Sequence, residues 1–578
     1  MSNSFASSPV TAALPTADEA VAHTLLNCLL REVSGPEHET AVVDGHLLLR
    51  LSRRDVLLRV ALRRTSLLGA HRFTGPVQEQ GARGWTEMDW RRLADQVQQE
   101  LTLRTGVPND EFRGQLASSH DGVATALAAL AARTRGSSPP DRPPLDHYLE
   151  SEQSLLFGHR FHPAPKARSG DHDTWAAYAP EALTAFPLRH LAVRAPLIAG
   201  ETAAPGADAV LDRLRPVPDG YRLLPAHPWQ YELLREHPLL TAAIARGDVL
   251  DLGTGGAPFT PTASVRTLHG DEAFLKFSLN VRITNCLRKN ASYELAGAVA
   301  LTRLLAPVLD ELTARFPGSA MLREPAYRSL AVPGPDGRPD TSLLEGFGVI
   351  VRDPLDSVLH PGLTPLLAAA VADEYPISPA HISRLLAEGS YGPQAALDWW
   401  AAYLRLLLPP VLDAYTRHGV VLEPHLQNVL IAVDDHGMPR QVLFRDLEGT
   451  KLLAERHSRT LATLPADVAS PIAYDAQRGW DRVVYCLLVN NAAEMLAALA
   501  DLHPHLEPAL WAEVRYVLGE FGNEYGYSPR LRALLAGAPL PAKANLLTRW
   551  ERRADREAGY VRLPSPLADD VLTAWSAQ

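Results

Sequence analysis

Lysine is nearly missing from this chain of 578 residues. Only Lys166, Lys276, Lys289, Lys451 and Lys543 occur, while arginine is plentiful. The charged surface is therefore mainly arginine and acid, and each lysine marks a place to search for a site. Cysteine is as scarce: Cys28, Cys286 and Cys486 lie far apart and form no C-x-x-C pair. That argues against a disulfide framework or a thiolate metal site and leaves three small buried hydrophobes. The chain has no basic block and no arginine-rich stripe, its formal net charge is -10 and its pI is about 6.1. Nucleic acid and anionic membrane are accordingly not expected as partners. The opening stretch MSNSFASSPVTAALPTADEA lacks a basic start followed by an apolar core, and no apolar run approaches the roughly 20 residues that cross a bilayer. A cytoplasmic protein that handles small molecules is the expectation.

With 46% hydrophobic residues, a chain of this length should fold into two to four globular pieces. The first 150 residues mix helical patterns (ADEAVAHTLLNCLLREV, EMDWRRLADQVQQELTL) with a strand pair turning at Asp44-Gly45. RTRGSSPPDRPP (133 to 144) reads as a connector, and LFGHRFHPAPKARSG (156 to 170) as a loop, because its prolines block a regular element. Residues 227 to 245 should be helical. ASVRTL and AFLKFSL read as adjacent strands, followed by a long helix from ITNCLRKN onward and a strand, GFGVIVRD. Beyond about 360 the pattern is mainly helical, interrupted by EPHLQNVLI and a hairpin turning at DDHG. The fold class expected is α+β.

Two constellations carry chemistry. Alternation would put Ser264 and Arg266 on one strand face, with Lys276 presented to the same space by the next strand and Arg288 added from the start of the long helix. Donors and cations with no acid nearby in sequence suit a polyanion such as a triphosphate or a tricarboxylate, although solvated surface strands explain these residues equally well. The second constellation is EPHLQNVLI (423 to 431), followed by VLFRDLEG (442 to 449). A polar loop leading into a hairpin and then an Asp is the layout of an ATP site in kinase-like folds. Asn428 and Asp446 fit as Mg²⁺ ligands, with Glu423 or Glu448 as a further oxygen. Where kinases place an Asp base, this loop offers Glu423, His425 and Gln427, so phosphoryl transfer itself is not favoured.

FGHRFHPAPKARSG, HPWQ, SVRT, LKFSLNVRITNCLRKN, EPHLQNVLI, FRDLEG and PAKANLLTRW together resemble the ordered motif set of the NRPS-independent siderophore synthetases, the IucA/IucC family. The resemblance spans about residues 150 to 550. It implies a hand-like architecture with a thumb (1-180), fingers (181-360) and a kinase-like, ATP-binding palm (361-578), and a homodimer. It implies an enzyme that uses ATP and Mg²⁺ to adenylate a carboxylate, usually of citrate or a citrate derivative, and passes the acyl group to an amine or alcohol. Ser264, Arg266, Thr267 and Lys276 would then contact the phosphates, and Arg288 would stand between nucleotide and carboxylate. His425, Gln427, Asn428 and Asp446 would complete the nucleotide site, with Glu423, Asn428 and Asp446 toward the metal. Thr284, Lys543, His159, His162, Lys166 and Arg482 would face the substrate. Arg288, His425 and Lys276 are the catalytic candidates, with His425 or a histidine of the 156–170 loop as the group that takes the amine's proton. One position departs from the family's G-H-P-x-H-P loop: Arg160 stands where the first proline is expected.

Two rival readings remain, a small-molecule kinase with the same palm and a non-catalytic citrate binder. Several residues carry plainer expectations. Trp229 should anchor a helix, His227 and Gln230 should cap or bridge, DWWAAYL should be a packed helix face, Glu448 a partner for an arginine, and Lys289 and Lys451 solvated.

Overall fold

The computed structural model describes residues 14–133, 144–168, 175–283, 286–287, 289–387, 392–554 and 557–568. The connector expected at 133 to 144 lies almost wholly outside them. The first helix, Ala17–Glu32, starts where the sequence offers a capping box, with Thr16 accepting from the Glu19 N–H and the Glu19 carboxylate returning to the Thr16 N–H. Asp44 and Gly45, both at positive φ, close the expected hairpin between Thr40–Val43 and His46–Leu51. The hairpin is the edge of a five-stranded sheet running to Met88. Leu47, Leu49 and Leu51 alternate inward against the helices Ala17–Glu32 and Trp90–Thr105. Leu546 and Trp550, from the far end of the chain, complete that core, and Trp550 Nε1 donates to Thr105 Oγ1 at 3.0 Å.

An eight-stranded antiparallel sheet follows, drawn from residues 186 to 352. Phe274–Phe277 lies in its middle, hydrogen-bonded to Thr267–His269 on one side and Val349–Arg352 on the other. A four-stranded sheet is built from Ser319–Met321, Pro439–Phe444, Val429–Val433 and Thr364–Leu367. Helix Pro393–Thr416 packs on it with Trp399, Trp400 and Tyr403 fully buried. Each finds a polar partner: Gly437 O at 3.0 Å, Leu510 O at 2.8 Å and Asn491 Oδ1 at 2.7 Å. DWWAAYL is thus a packed face, and the mixed helix-and-sheet class agrees with the α+β expectation.

Three local expectations need correction. The stretch 227 to 245 is two helices, Pro228–Leu234 and Pro238–Ala245, because Pro238 has no N–H to continue the first. The long helix begins only at Ser292, after a short hairpin of Arg282–Ile283 and Cys286–Leu287, so Arg288 precedes the helix. ASVRTL becomes strand only at Thr267. Ser264 and Arg266 sit in the preceding turn, where Val265 adopts φ 70°, and the turn rather than strand alternation sets their directions. One helical stretch, Ala476–Leu502, is long and apolar enough to cross a membrane, contrary to the sequence expectation, and 89% of its apolar window is buried inside the fold.

Candidate functional site

Lys276 is carried into the interior by a strand whose four residues are all buried, and is itself 1% exposed. A buried ammonium must be paired. Its Nζ holds Asp446, lies 2.5 Å from Glu448 Oε2 and 3.5 Å from Glu324 Oε1. Against the opposing effect of burial, Lys276 and Arg266 hold the Glu448 carboxylate below its ordinary range. Arg352, diagonal to Lys276 on the neighbouring strand, donates to Glu324 Oε1 at 2.6 Å and Asp446 Oδ1 at 2.9 Å. Arg266 stands 3.7 Å from Glu448 and bonds Asn290 Oδ1. Three cations thus meet three acids. Burial works against ionisation of Asp446, yet Lys276, Arg352 and Arg266 hold its carboxyl well below the usual range. Burial likewise opposes the Lys276 charge, and Asp446, Glu324 and Glu448 keep its ammonium above its ordinary value.

Asp446 reaches this position through a left-handed backbone (φ 74°, ψ 55°) that opens the turn Leu447–Gly449. A non-glycine residue held there marks a constrained site. A Cβ added to Gly449 would meet Glu423 Oε2 at 3.5 Å and Asp446 Oδ2 at 3.8 Å, so the two carboxylates converge over this glycine. Asn428, beside them, donates its amide to the Glu423 carbonyl at 3.3 Å. These hard oxygen donors suit Mg²⁺. Among the described residues no group of three His, Cys, Asp or Glu side chains could hold an ion alone, which fits a metal that would share its coordination with phosphates.

The turn at Ala263–Arg266 is stitched to the loop at Glu423–Asn428. Gln427 Nε2 donates to the Ala263 carbonyl at 3.0 Å, and the Ala263 N–H donates to Glu152 Oε2 at 3.0 Å. Fully buried Glu152 is gripped by Arg445 at 2.5 and 3.1 Å, and Arg445 Nε returns to the Gln427 carbonyl at 2.9 Å. The Ser264 hydroxyl accepts the Thr267 N–H at 3.1 Å.

A cavity of about 430 Å³ opens between these parts. Its wall carries Ser264, Glu423, His425, Gln427 and Asp446 from the turn and loop just described, and His159, His162, Lys166, Arg482 and Lys543 from other parts of the chain. Lys276, Arg266, Thr267 and Asn428 do not reach its wall, and Thr284 and Arg288 lie outside the described residues. Burial, then His162, Arg31, His425 and Lys543, push the His159 imidazole down to about 3. Burial also lowers His425, with Glu423 and Asp446 opposing, so its imidazole is neutral near pH 7. Arg482 lies 3.4 Å from Glu423 Oε1. Lys166 faces the cavity but is already engaged, donating to the Leu155 carbonyl at 2.5 Å and pairing with Glu181 at 3.2 Å. It anchors the loop. Arg160 holds Glu374 where a proline would have held nothing.

The plainer expectations divide. His227 Nδ1 caps the Trp229 N–H at 3.2 Å and Gln230 Oε1 accepts the Asn280 N–H at 2.7 Å, as expected. Lys451 and Lys289 are not simply solvated: one donates to the Gly449 carbonyl at 2.7 Å and the other pairs with Glu345 at 2.9 Å. Sequence reasoning missed Glu152, Glu324, Arg352 and Arg445. Only Arg352 left a signal, a cation at the end of the apolar run VIVR.

A profile of the IucA / IucC family matches residues 147–373, and one described as ferric iron reductase FhuF-like transporter matches 397–558. The L-2,3-diaminopropanoate–citrate ligase of Staphylococcus aureus is 32% identical over 73% of this chain and 75% of its own length. The rhizobactin siderophore biosynthesis protein RhbC of Rhizobium meliloti is 28% identical over 94% and 96%. The structure of ATP-bound aerobactin synthetase IucA from a hypervirulent pathotype of Klebsiella pneumoniae superposes with a TM-score of 0.82 at 25% identity, covering 95% of this chain and 99% of that one.

Proposed function

Because the chain belongs to the IucA/IucC family, we propose that it is an ATP-dependent ligase that adenylates a carboxylate of citrate or a citrate-like polycarboxylate and passes the acyl group to an amine in siderophore biosynthesis. The observation that carries this reading is a single cavity with two unlike sides. One side reaches a cation–acid network suited to phosphates and metal. The other presents His159, His162, Arg31, Arg482 and Lys543, with Asp373, Glu374 and Glu494 in the same wall. The S. aureus relative's name gives a diamino acid as the amine, and a diamino acid is the acceptor class proposed here; an alcohol acceptor is the variant.

In the first half-reaction a carboxylate oxygen attacks the α-phosphorus and pyrophosphate leaves. Two anions must approach, and cations fixed beforehand lower that cost without reorganising. Lys276, kept charged by Asp446, Glu324 and Glu448, is such a cation. Ser264, Arg266, Thr267, Gln427 and Arg288 are assigned to the phosphates, and Thr284, His159, His162, Lys543 and Arg482 to the carboxylates. Bound Mg²⁺ would draw on Asp446, Asn428 and Glu423 and neutralise phosphate charge. In the second half-reaction the amine attacks the acyl carbonyl, AMP leaves with the electron pair of the broken C–O bond, and neutral His425 takes the amine's proton.

The proposal includes the hand-like division into thumb, fingers and kinase-like palm, a homodimer and a cytoplasmic location, each resting on the family resemblance. It is tested by supplying the purified protein with Mg-ATP, hydroxylamine and a panel of citrate, succinate, 2-oxoglutarate or buffer. AMP, pyrophosphate and a citryl hydroxamate are expected. ADP would identify a kinase, and citrate binding with no nucleotide turnover a binder.

A further inference from the structure

One stretch of the cavity wall has no part in the assignment above. Arg31 closes the first helix, faces the cavity and is 5% exposed. Its guanidinium lies over the Phe161 ring, with Cζ 3.1 Å from the centroid. Among the described residues it has no side-chain hydrogen bond and no carboxylate within ion-pair distance. The acids closest in charge are engaged elsewhere. Both oxygens of Glu32 accept backbone N–H groups, of Leu546 and Leu547, at 2.9 Å each. Glu494, the strongest opposing charge felt by Arg31, lies 3.6 Å from Arg160 Nη1.

Arg160 is short of partners too. One of its amino groups holds Glu374, which Arg63 shares at 2.9 Å. Its Nη1 is buried without a hydrogen bond. Arg31 and Arg160 therefore share Glu494, and Arg31 has no carboxylate partner at ion-pair distance among the described residues. A buried unpaired cation is strongly destabilising, and an anion arriving from outside removes the penalty. A guanidinium fork matches a carboxylate in shape as well as charge.

We propose that Arg31, with Arg160 Nη1 beside it, receives a substrate carboxylate and so determines which substrate the cavity accepts. The inference rests on the ligase reading for its substrate classes. The carboxylate is either a non-reacting one of the donor or the one carried by an amino acid acceptor, and the experiment separates them.

Arg31→Met keeps the contact with Phe161 and removes the charge. Calorimetry with citrate alone, pyrophosphate release with hydroxylamine, and the ratio of diaminopropanoate to ethylenediamine as acceptor are measured on wild type, Arg31→Met and Arg31→Lys. A donor carboxylate predicts citrate affinity about 10–100-fold weaker in Arg31→Met. An acceptor carboxylate predicts unchanged citrate binding and loss of the preference for diaminopropanoate. Either way Tm is unchanged or higher in Arg31→Met, because the unpaired charge is gone, and Arg31→Lys restores part of the lost affinity. A lower Tm with citrate affinity and acceptor preference both within twofold of wild type overturns the inference and makes Arg31 structural. Should Arg31→Met not fold, Arg31→Gln is judged by the same two affinities. Weakened citrate binding in a protein that never releases pyrophosphate would leave this site standing while the ligase reading fell.

Discussion

The two sides of the cavity handle charge in opposite ways. Around Asp446, each cation already has an acid: Lys276, Arg352 and Arg266 meet Asp446, Glu324 and Glu448 at 2.5 to 3.7 Å. Around His159, the groups that depress its imidazole are His162, Arg31, His425 and Lys543, while Asp373, Glu374 and Glu494 share the cavity wall. On the first side burial opposes each charge and the opposite charges offset it, leaving partners that phosphates and metal can exchange. On the second, Arg31 has no carboxylate within ion-pair distance among the described residues, and a polyanion would supply one. Under the proposed reading the metal–nucleotide end uses acids to hold its cations, and the polycarboxylate end offers histidines and cations to the incoming acid.

The comparison can be broken at its stitching first. Glu152→Gln removes the only carboxylate on Arg445 among the described residues and leaves a buried cation, which should cost about 3–5 kcal/mol of stability. Denaturant unfolding would show it. Glu152→Leu combined with Arg445→Leu should recover part of the loss, since it removes both charges. The compensated side is tested next by Lys276→Met, which should lower kcat/KM for adenylation by on the order of 10²–10³-fold. Steady-state pyrophosphate release measures it, on protein shown to be folded. The carboxylate-facing wall should respond differently. Lys543→Met should raise the KM for citrate about 10–100-fold while leaving that for ATP within about twofold.

The last effect concerns pH. Burial holds His159 and His227 near 3 and His71 and His381 near 4, against an unfolded value of 6.5. The unfolded chain therefore binds more protons between about pH 6.5 and 4, and stability falls as pH drops through that window. Glu32, raised to about 8, and Asp373, raised to about 6, act in the opposite sense. These four histidines, joined by His190 at about 4, outweigh two carboxyls, so about 2–4 kcal/mol should be lost between pH 6 and 5. Urea midpoints at the two pH values check this.

Much of this was legible in the sequence because it is local. The first helical pattern, the Asp44-Gly45 turn, the helix around DWWAAYL and the hairpin at DDHG each depend on a few consecutive residues, and all stand where expected. The polar loop at Glu423–Asn428 and Asp446 stood out because polar residues between apolar runs need a reason. What stayed hidden depends on tertiary approach. Glu152 matters because it meets Arg445, 293 residues away, and nothing in YLESEQ announces it. Glu324 is silent for the same cause. Ser264 and Arg266 were assigned to a strand because alternation there is indistinguishable from a tight turn, and only the positive φ of Val265 separates the two. Arg31 looked like any basic residue closing a helix, where cations are ordinary. Only its burial without an acid reveals it.

The central claim is that one cavity brings a polyphosphate and a polycarboxylate together so that the acid attacks the α-phosphorus. Exchange of labelled pyrophosphate into ATP, measured without any amine, tests this most directly, since it requires reversible acyl-adenylate formation and nothing later. The account predicts exchange that depends on citrate or a close polycarboxylate and on Mg²⁺, and that is lost in Lys276→Met. Exchange that ignores the carboxylate, or ADP formation in its place, would contradict it.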